Sequence, residues 1–398
     1  MTQSFRGDRV HIAVLGRCNT GKSTVLNHIV GQHAAIVSDQ PGTTGDPVPL
    51  PFELLPLGPV TFYDTAGLDE DSSLGLLRRK AGKRILALAD MAIVVTDEHG
   101  IGVWEKDIID ALRMLSTSIL IVFNKQDIRK PSTSDLAWCT EHALPFFTLS
   151  AAQETEPNAI RQTIVSLVPA PETQPSIVVD LLPEQATVIC VTPIDASAPK
   201  GRLIAPQIQV LRELVEYGHL SLTVQPAGLS AALTRLTTLP DLVITDSQVV
   251  REVVEFLPQT VSVTTFSLLF SRLKGDFALQ LHGAKTLCNL KAGDRILMAE
   301  ACSHHPQEED IARIKLPKLL NRYSGHDLPF TVCSGKDFPE DLHEYALVVH
   351  CGGCMINRGE MRRRLRLCAA ANVPVTNFGM VLSQAQGVLD RVSAPLLG

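Results

Sequence analysis

Gly16-Arg17-Cys18-Asn19-Thr20-Gly21-Lys22-Ser23 constrains this chain more than any other segment. It follows the apolar run Val10 to Leu15, which reads as a strand, and opens a helical pattern at Lys22. In that context G-x-x-x-x-G-K-S wraps phosphates, because its backbone N–H groups and the helix N-terminus both favour anions. Lys22 is expected to reach the β- and γ-phosphates, and the Ser23 hydroxyl to ligate Mg²⁺. Asn19, Thr20, Gly21 and Thr24 fill out the expected phosphate cradle.

Further motifs follow in order. Asp64-Thr65-Ala66-Gly67 ends a hairpin strand, where Asp64 can hold Mg²⁺ through water and the Gly67 N–H can sense the γ-phosphate. Thr44, with Thr43 as the alternative, fits a switch that closes on Mg²⁺ and the γ-phosphate. Asn124-Lys125-Gln126-Asp127 decides the base: the Asp127 carboxylate accepts from guanine N1–H and the 2-amino group, which adenine cannot match. Ser150 and Ala151 fit the loop that backs the guanine. GTP and GDP with Mg²⁺ are the expected ligands, and Lys22, Thr44 and Gly67 the catalytic set. Gly67 precedes Leu68 rather than glutamine, so unaided turnover should be slow, below about 1 s⁻¹.

A second constellation lies near the C-terminus. Cys302-Ser303-His304 is answered by His350-Cys351-Gly352-Gly353-Cys354. Thiolates at such spacing bind zinc or an iron–sulfur cluster. Each half directly follows a strand candidate, Arg295 to Ala301 or Tyr345 to His350. Ligands gather outside the carboxyl ends of strands in open α/β sheets, so the two halves can meet at one edge. His305 reads as a loop histidine, and Cys18, Cys139, Cys190, Cys288, Cys333 and Cys368 as small packed hydrophobes.

At 398 residues two or three domains are expected. A seam falls at Val168 to Ser176, where Pro169, Pro171 and Pro175 suggest a linker. Before it, strands at Met91 to Thr96, Ser118 to Phe123 and Pro145 to Ser150 alternate with helical segments. After it, Thr187 to Thr192, Leu220 to Val224, Asp241 to Thr245 and Thr260 to Val263 read as strands. Helices are expected at Leu203 to Tyr217, Ser247 to Phe256 and Ser267 to Leu290. The fold class is α/β: a P-loop GTPase domain followed by two further α/β domains with mainly parallel sheets.

The net charge of -6 gives no electrostatic footprint for nucleic acid. The basic run Arg362-Arg363-Arg364, with Arg366, reads as a solvated helix face. The polar start Met1 to Arg9 lacks a signal-peptide core, and the apolar stretch Ile85 to Val95, broken by Asp90, is too short to span a bilayer. Nine cysteines without a secretory signal argue against a disulfide framework. A cytoplasmic protein with reduced thiols is expected, away from membranes and nucleic acid.

Asn19 in the P-loop, the Gly-Thr-Thr switch and the hydrophobic residue after Asp-Thr-Ala-Gly resemble the Era/TrmE branch of GTPases. That resemblance implies that Asn19 helps hold a potassium ion, which supplies the charge of an arginine finger. One departure stands out: the tRNA-modifying members carry an acidic residue twelve positions after the switch II aspartate, where this chain has Leu76. Their catalytic glutamate is not carried over, and Asp69, Glu70 and Asp71 are the acidic residues nearby.

With the two cysteine segments added, the whole chain resembles the HydF family of FeFe-hydrogenase maturation GTPases, including the stretch Ala198 to Leu211 that opens the middle region. The resemblance implies a GTP-binding domain over 1–170, a dimerisation domain over 171–265 and a cluster-binding domain over 266–398. It further implies a 4Fe-4S cluster on Cys302, Cys351 and Cys354, with a fourth corner open to His304, His350, Glu308, Glu309 or water. The implied role is a homodimeric scaffold or carrier that receives a transient diiron subcluster made with the radical-SAM maturases HydE and HydG. It then delivers that unit to the FeFe-hydrogenase apoprotein. The alternative is an Era/TrmE-like RNA-associated GTPase with a structural zinc site.

Overall fold

A computed structural model of the chain describes residues 9–31, 49–65, 86, 89–115, 117–153, 156–168, 176–194, 203–301, 311–335, 338–339, 341–353 and 356–397. The chain divides into two compact units, Asp8–Gln174 and Pro175–Gly398.

The first unit holds strands β1 (Val10–Leu15), β2 (Pro49–Leu54), β3 (Gly58–Asp64), β4 (Met91–Thr96), β5 (Ser118–Phe123) and β6 (Phe146–Thr148). They form one sheet in the order β2-β3-β1-β4-β5-β6, parallel except for the β2/β3 hairpin. Successive strand side chains point to opposite faces, and both faces are buried here. Ile12, Val14, Ile93, Val95, Leu120 and Val122 enter one core. Ala13, Leu15, Ala92, Val94, Ile119 and Ile121 enter the other. Continuous apolar runs are what a parallel sheet covered on both sides requires. Helices Lys22–Val30 and Asn158–Leu167 contribute to the first core, and Val103–Met114 and Thr133–Glu141 to the second.

The second unit contains two four-stranded parallel sheets. The first uses β7 (Thr187–Val191), β8 (Leu220–Val224), β9 (Leu242–Thr245) and β10 (Ser262–Thr265), in the order β10-β9-β7-β8. The other uses β11 (Ile296–Glu300), β12 (Phe330–Ser334), β13 (Leu347–His350) and β14 (Val375–Asn377), in the order β12-β11-β13-β14. The helical stretch expected over Ser267 to Leu290 is two helices, Phe266–Lys274 and Phe277–Lys285. Thr265 caps the first by accepting from the Leu268 amide, and Asp276 caps the second by accepting from Leu279. Phe266, Leu268, Leu269 and Phe270 pack with the strands of the β7–β10 sheet, as do Met380 and Leu389 from the chain's end.

Two strands are expected after Phe266, and the sheet has four. β14 is three residues long, and β12 is a half-buried edge strand, so neither makes a long apolar run. Among the described residues no helix is long and apolar enough to cross a membrane.

Candidate functional site

The phosphate loop joins β1 to helix Lys22–Val30. Asn19 and Gly21 both take left-handed backbone angles, φ 63° and 87°. Lys22 is nearly buried, and its ammonium donates to the carbonyls of Gly16 at 3.0 Å and Arg17 at 2.7 Å, so it arches over the loop. Ser23 Oγ donates to Asp64 Oδ2 at 2.6 Å. The two expected Mg²⁺ residues therefore converge from the helix start and the end of β3. Burial pushes the Asp64 carboxyl up from its ordinary value, against the hydrogen bond from Ser23 and the charge of Lys22. A divalent cation there would oppose that shift. Asn19 and Thr24 are exposed.

The base-reading residues are stitched to this loop. Asn124, almost fully buried, donates from Nδ2 to the Thr20 carbonyl at 2.9 Å and accepts from the Ala151 amide at 3.1 Å. Ser150 Oγ donates to Asp127 Oδ1 at 2.7 Å and accepts from the Asp127 amide at 3.0 Å. Gln153 Nε2 donates to the other Asp127 oxygen at 3.0 Å. Lys125, with φ 58°, lies 3.7 Å from Asp97 and 3.3 Å from Glu98. Thr43, Thr44, Gly67, Leu68 and the acidic candidates Asp69 to Asp71 lie outside the described residues.

One part of this site escaped the sequence reading. Arg17 Nε donates to Glu105 Oε1 at 2.7 Å, and Glu105 is only 1% exposed on helix Val103–Met114. Arg17 Nη2 also donates to the Gly100 carbonyl at 3.3 Å and lies 3.9 Å from Asp97. Asp97 thus stands between a phosphate-loop cation and the Lys125 cation of the guanine motif. A buried carboxylate demands a partner, but a glutamate three residues into a helix pattern also reads as a capping residue. Glu105 is that too, accepting from the Gly102 amide at 2.9 Å.

In the second unit, β11 and β13 are parallel neighbours with Ala299 opposite His350. The Cys351 amide donates to the Ala299 carbonyl at 2.8 Å, and the Ala301 amide donates to Cys351 Sγ at 3.0 Å. Cys302, His304, His305, Glu308, Glu309 and Cys354 lie outside the described residues; Cys302 follows Ala301 directly in the chain. Gly353 has φ 66°, a left-handed backbone that glycine adopts without strain, in the turn of the C-x-x-C segment. A sulfur receiving an amide hydrogen bond at a strand end, followed by a glycine turn, fits a thiolate-bound cluster.

His350 is 1% exposed, and both ring nitrogens are engaged: Nδ1 with the Cys351 carbonyl at 2.7 Å and Nε2 with Arg364 Nη1 at 3.0 Å. A guanidinium only donates, so Nε2 accepts and the ring proton sits on Nδ1. Burial, then the Arg364 charge, pulls the imidazole down to about 4, so it is neutral.

Arg364 corrects the sequence reading of a solvated basic run. It is 1% exposed, donating also to Glu360 Oε1 at 2.7 Å and the Gly335 carbonyl at 2.6 Å, with its guanidinium 5.1 Å from the Phe338 ring. Burial alone would raise the Glu360 carboxyl, but Arg363 and Arg364 outweigh it and hold it below the usual range. A signal existed: Met361, Arg364, Leu365 and Cys368 recur at helical spacing, and all are buried. Cys139, Cys190 and Cys368 are buried as expected, whereas Cys18 and Cys288 are exposed and Cys333 is half-buried.

The parallel sheet, the Lys22 loop and the Asn124–Asp127 segment together define the class: a P-loop GTPase domain. Residues 11–125 match the family described as 50S ribosome-binding GTPase, 177–275 the hydrogen maturase F dimerization domain, and 278–395 the hydrogen maturase F tetramerization domain. The latter two together span more than half of the chain, and the chain belongs to the hydrogen maturase F family. Both of those domains are named for self-association.

Curated relatives are similar over part of the chain. GTPase Der of Gloeobacter violaceus is 35% identical over 130 residues, 31% of this chain and 27% of its own length. The tRNA modification GTPase MnmE of Moorella thermoacetica is 39% identical over 124 residues, 29% of this chain and 25% of its own. GTPase Era of Clostridioides difficile is 35% identical over 118 residues, 29% and 39%. The chain thus spans well under half the length of these relatives. Among solved structures, Aquifex aeolicus Era Y63A bound to GDP·AlF4⁻ is 26% identical, with TM-score 0.36, over 40% of this chain and 57% of that one.

Proposed function

We propose that this protein is a GTP-hydrolysing, 4Fe-4S-binding scaffold that carries a diiron subcluster to apo FeFe-hydrogenase. The reading rests on one contact in a chain of this family: the Ala301 amide donates to Cys351 Sγ, with Cys302 next in sequence. Cys302, Cys351 and Cys354 would hold three irons. His304 or water is favoured at the fourth corner over His350, whose ring nitrogens already serve Cys351 and Arg364. A bound cluster of this kind supplies an exchangeable iron corner to which cargo can bridge.

Lys22, Ser23, Asp64 and Thr44 hold the nucleotide and Mg²⁺, Asn19 holds potassium, and Asn124, Lys125, Asp127, Ser150 and Ala151 read guanine. Residues 1–170 bind nucleotide, 171–265 form the homodimer, and 266–398 bind the cluster. HydE and HydG supply the diiron unit, and the protein works in the cytoplasm.

Activation of apo-hydrogenase by protein co-expressed with HydE and HydG tests the carrier role. Wild type should activate, and Lys22→Ala should activate less while keeping wild-type iron. Equal activation by Lys22→Ala removes the nucleotide from delivery, and no activation by wild type removes the carrier role. Hydrolysis should be faster in KCl than in NaCl; equal rates remove potassium from Asn19.

A further inference from the structure

Lys274 ends helix Phe266–Lys274, whose Phe266, Leu268, Leu269 and Phe270 belong to the core of the β7–β10 sheet. The lysine is 4% exposed. Its ammonium donates to the Gly353 carbonyl at 3.2 Å and the Ile356 carbonyl at 3.2 Å, and it lies 5.9 Å from the Phe270 ring centre. These two carbonyls bracket the end of the C-x-x-C segment, 79 and 82 residues further along the chain. Lysine is among the residues least often buried, and taking an ammonium out of water costs several kcal/mol, an order-of-magnitude figure. A hydrophobic residue would fill this helix end at no such cost.

We propose that Lys274 is a positioning residue for the cluster loop. Its ammonium clamps the turn at Gly353 and Ile356, tying the loop to a helix seated on the neighbouring sheet. It also adds one buried positive charge at the Gly353 carbonyl, two residues after Cys351 in the chain. This rests on the cluster reading given above, but the clamp itself is a property of the chain. A positive charge beside a cluster favours the state with one more electron, so it raises the reduction potential.

The test uses full-length Lys274→Met, Lys274→Gln and Lys274→Arg. In the metal-free proteins, hydrogen exchange of the segment from Cys351 to Arg358 should quicken about tenfold in the Met and Gln variants, with little change in Arg. Unchanged exchange in the Gln variant overturns the clamp. If the Met variant does not fold, the Gln variant, whose shorter, neutral amide keeps two N–H donors, carries the comparison. In the iron-loaded proteins, the midpoint from a potentiometric titration followed by electron paramagnetic resonance should move negative in Gln and stay near wild type in Arg. An unmoved midpoint in Gln overturns the electrostatic role, which loosened packing alone would not mimic with Arg rescue. A wild type that binds no iron would instead sink the cluster reading, while the exchange result would still decide the clamp.

Discussion

The Ala301 amide and the Cys351 sulfur, 50 residues apart in sequence, are hydrogen-bonded at 3.0 Å. The contact follows from parallel pairing of β11 and β13, which brings the ends of both strands to one edge. An N–H pointing at sulfur favours the thiolate over the thiol, because the anion is the stronger acceptor. The Cys351 sulfur at this sheet edge therefore already has a backbone donor.

Behind that edge, Arg364 joins Glu360, His350 and Gly335. Replacing it with methionine leaves the buried Glu360 with Arg363 alone and strips the donor from His350 Nε2. Arg364→Met should destabilise the apoprotein by about 3 kcal/mol, within the range for breaking buried ion pairs. Chemical denaturation measures it; a loss below about 1 kcal/mol would mean the network relaxes at little cost.

Gly283 tests packing rather than charge. Alanine normally improves a helix interior by about 1 kcal/mol over glycine. In helix Phe277–Lys285, however, a Cβ at Gly283 would lie 2.1 Å from the Val375 carbonyl oxygen and 2.6 Å from its carbon, both backbone atoms of β14. Gly283→Ala should therefore destabilise, by about 1–3 kcal/mol as overpacked cores do. A raised melting temperature would contradict the close approach of helix and strand.

In the first unit, Glu105→Ala releases Arg17 from its buried anchor. Guanine-nucleotide affinity should fall about tenfold, equivalent to about 1.4 kcal/mol. A double-mutant cycle with Arg17→Ala should show coupling of about 1 kcal/mol or more in stability. Additive single effects would separate the two residues.

The buried thiols give a pH signature. Burial pushes Cys190 and Cys368 up to about 12 and Cys139 up to about 11. Their folded values exceed the unfolded value of about 8.5, so the fold holds protons that the unfolded chain releases first. Their contribution to stability is full below pH about 8.5 and is lost as pH rises toward 11–12. Urea midpoints at pH 8 and 10 should differ less in Cys190→Val than in wild type; equal differences would contradict this. Among the described cysteines, alkylation of the folded protein should reach the exposed Cys18 and Cys288 first.

The sequence made some elements plain and left others obscure for definable reasons. Strands β1, β4 and β5 are continuous apolar runs because both faces are covered, so burial alone announces them. The phosphate loop and Asn124–Asp127 are local motifs, and their chemistry travels with short spacing. β14 is too short to make a pattern, and β12 is half-buried. The contacts Arg17–Glu105, Arg364–His350 and Lys274–Gly353 join residues 88, 14 and 79 positions apart. Charge was legible at each position, but its burial depends on distant partners. Arg364 is the instructive case, since its place in a buried helical stripe was visible while its arginine neighbours suggested solvent.

Anaerobic iron and zinc analysis with electron paramagnetic resonance of the dithionite-reduced protein, in wild type and Cys302→Ser, decides whether the cysteines hold a cluster. A cluster-bearing protein should give about four irons per chain and a reduced-cubane signal that the variant loses. One zinc per chain with no paramagnetic signal after reconstitution would contradict it, leaving a GTPase whose cysteine site is structural.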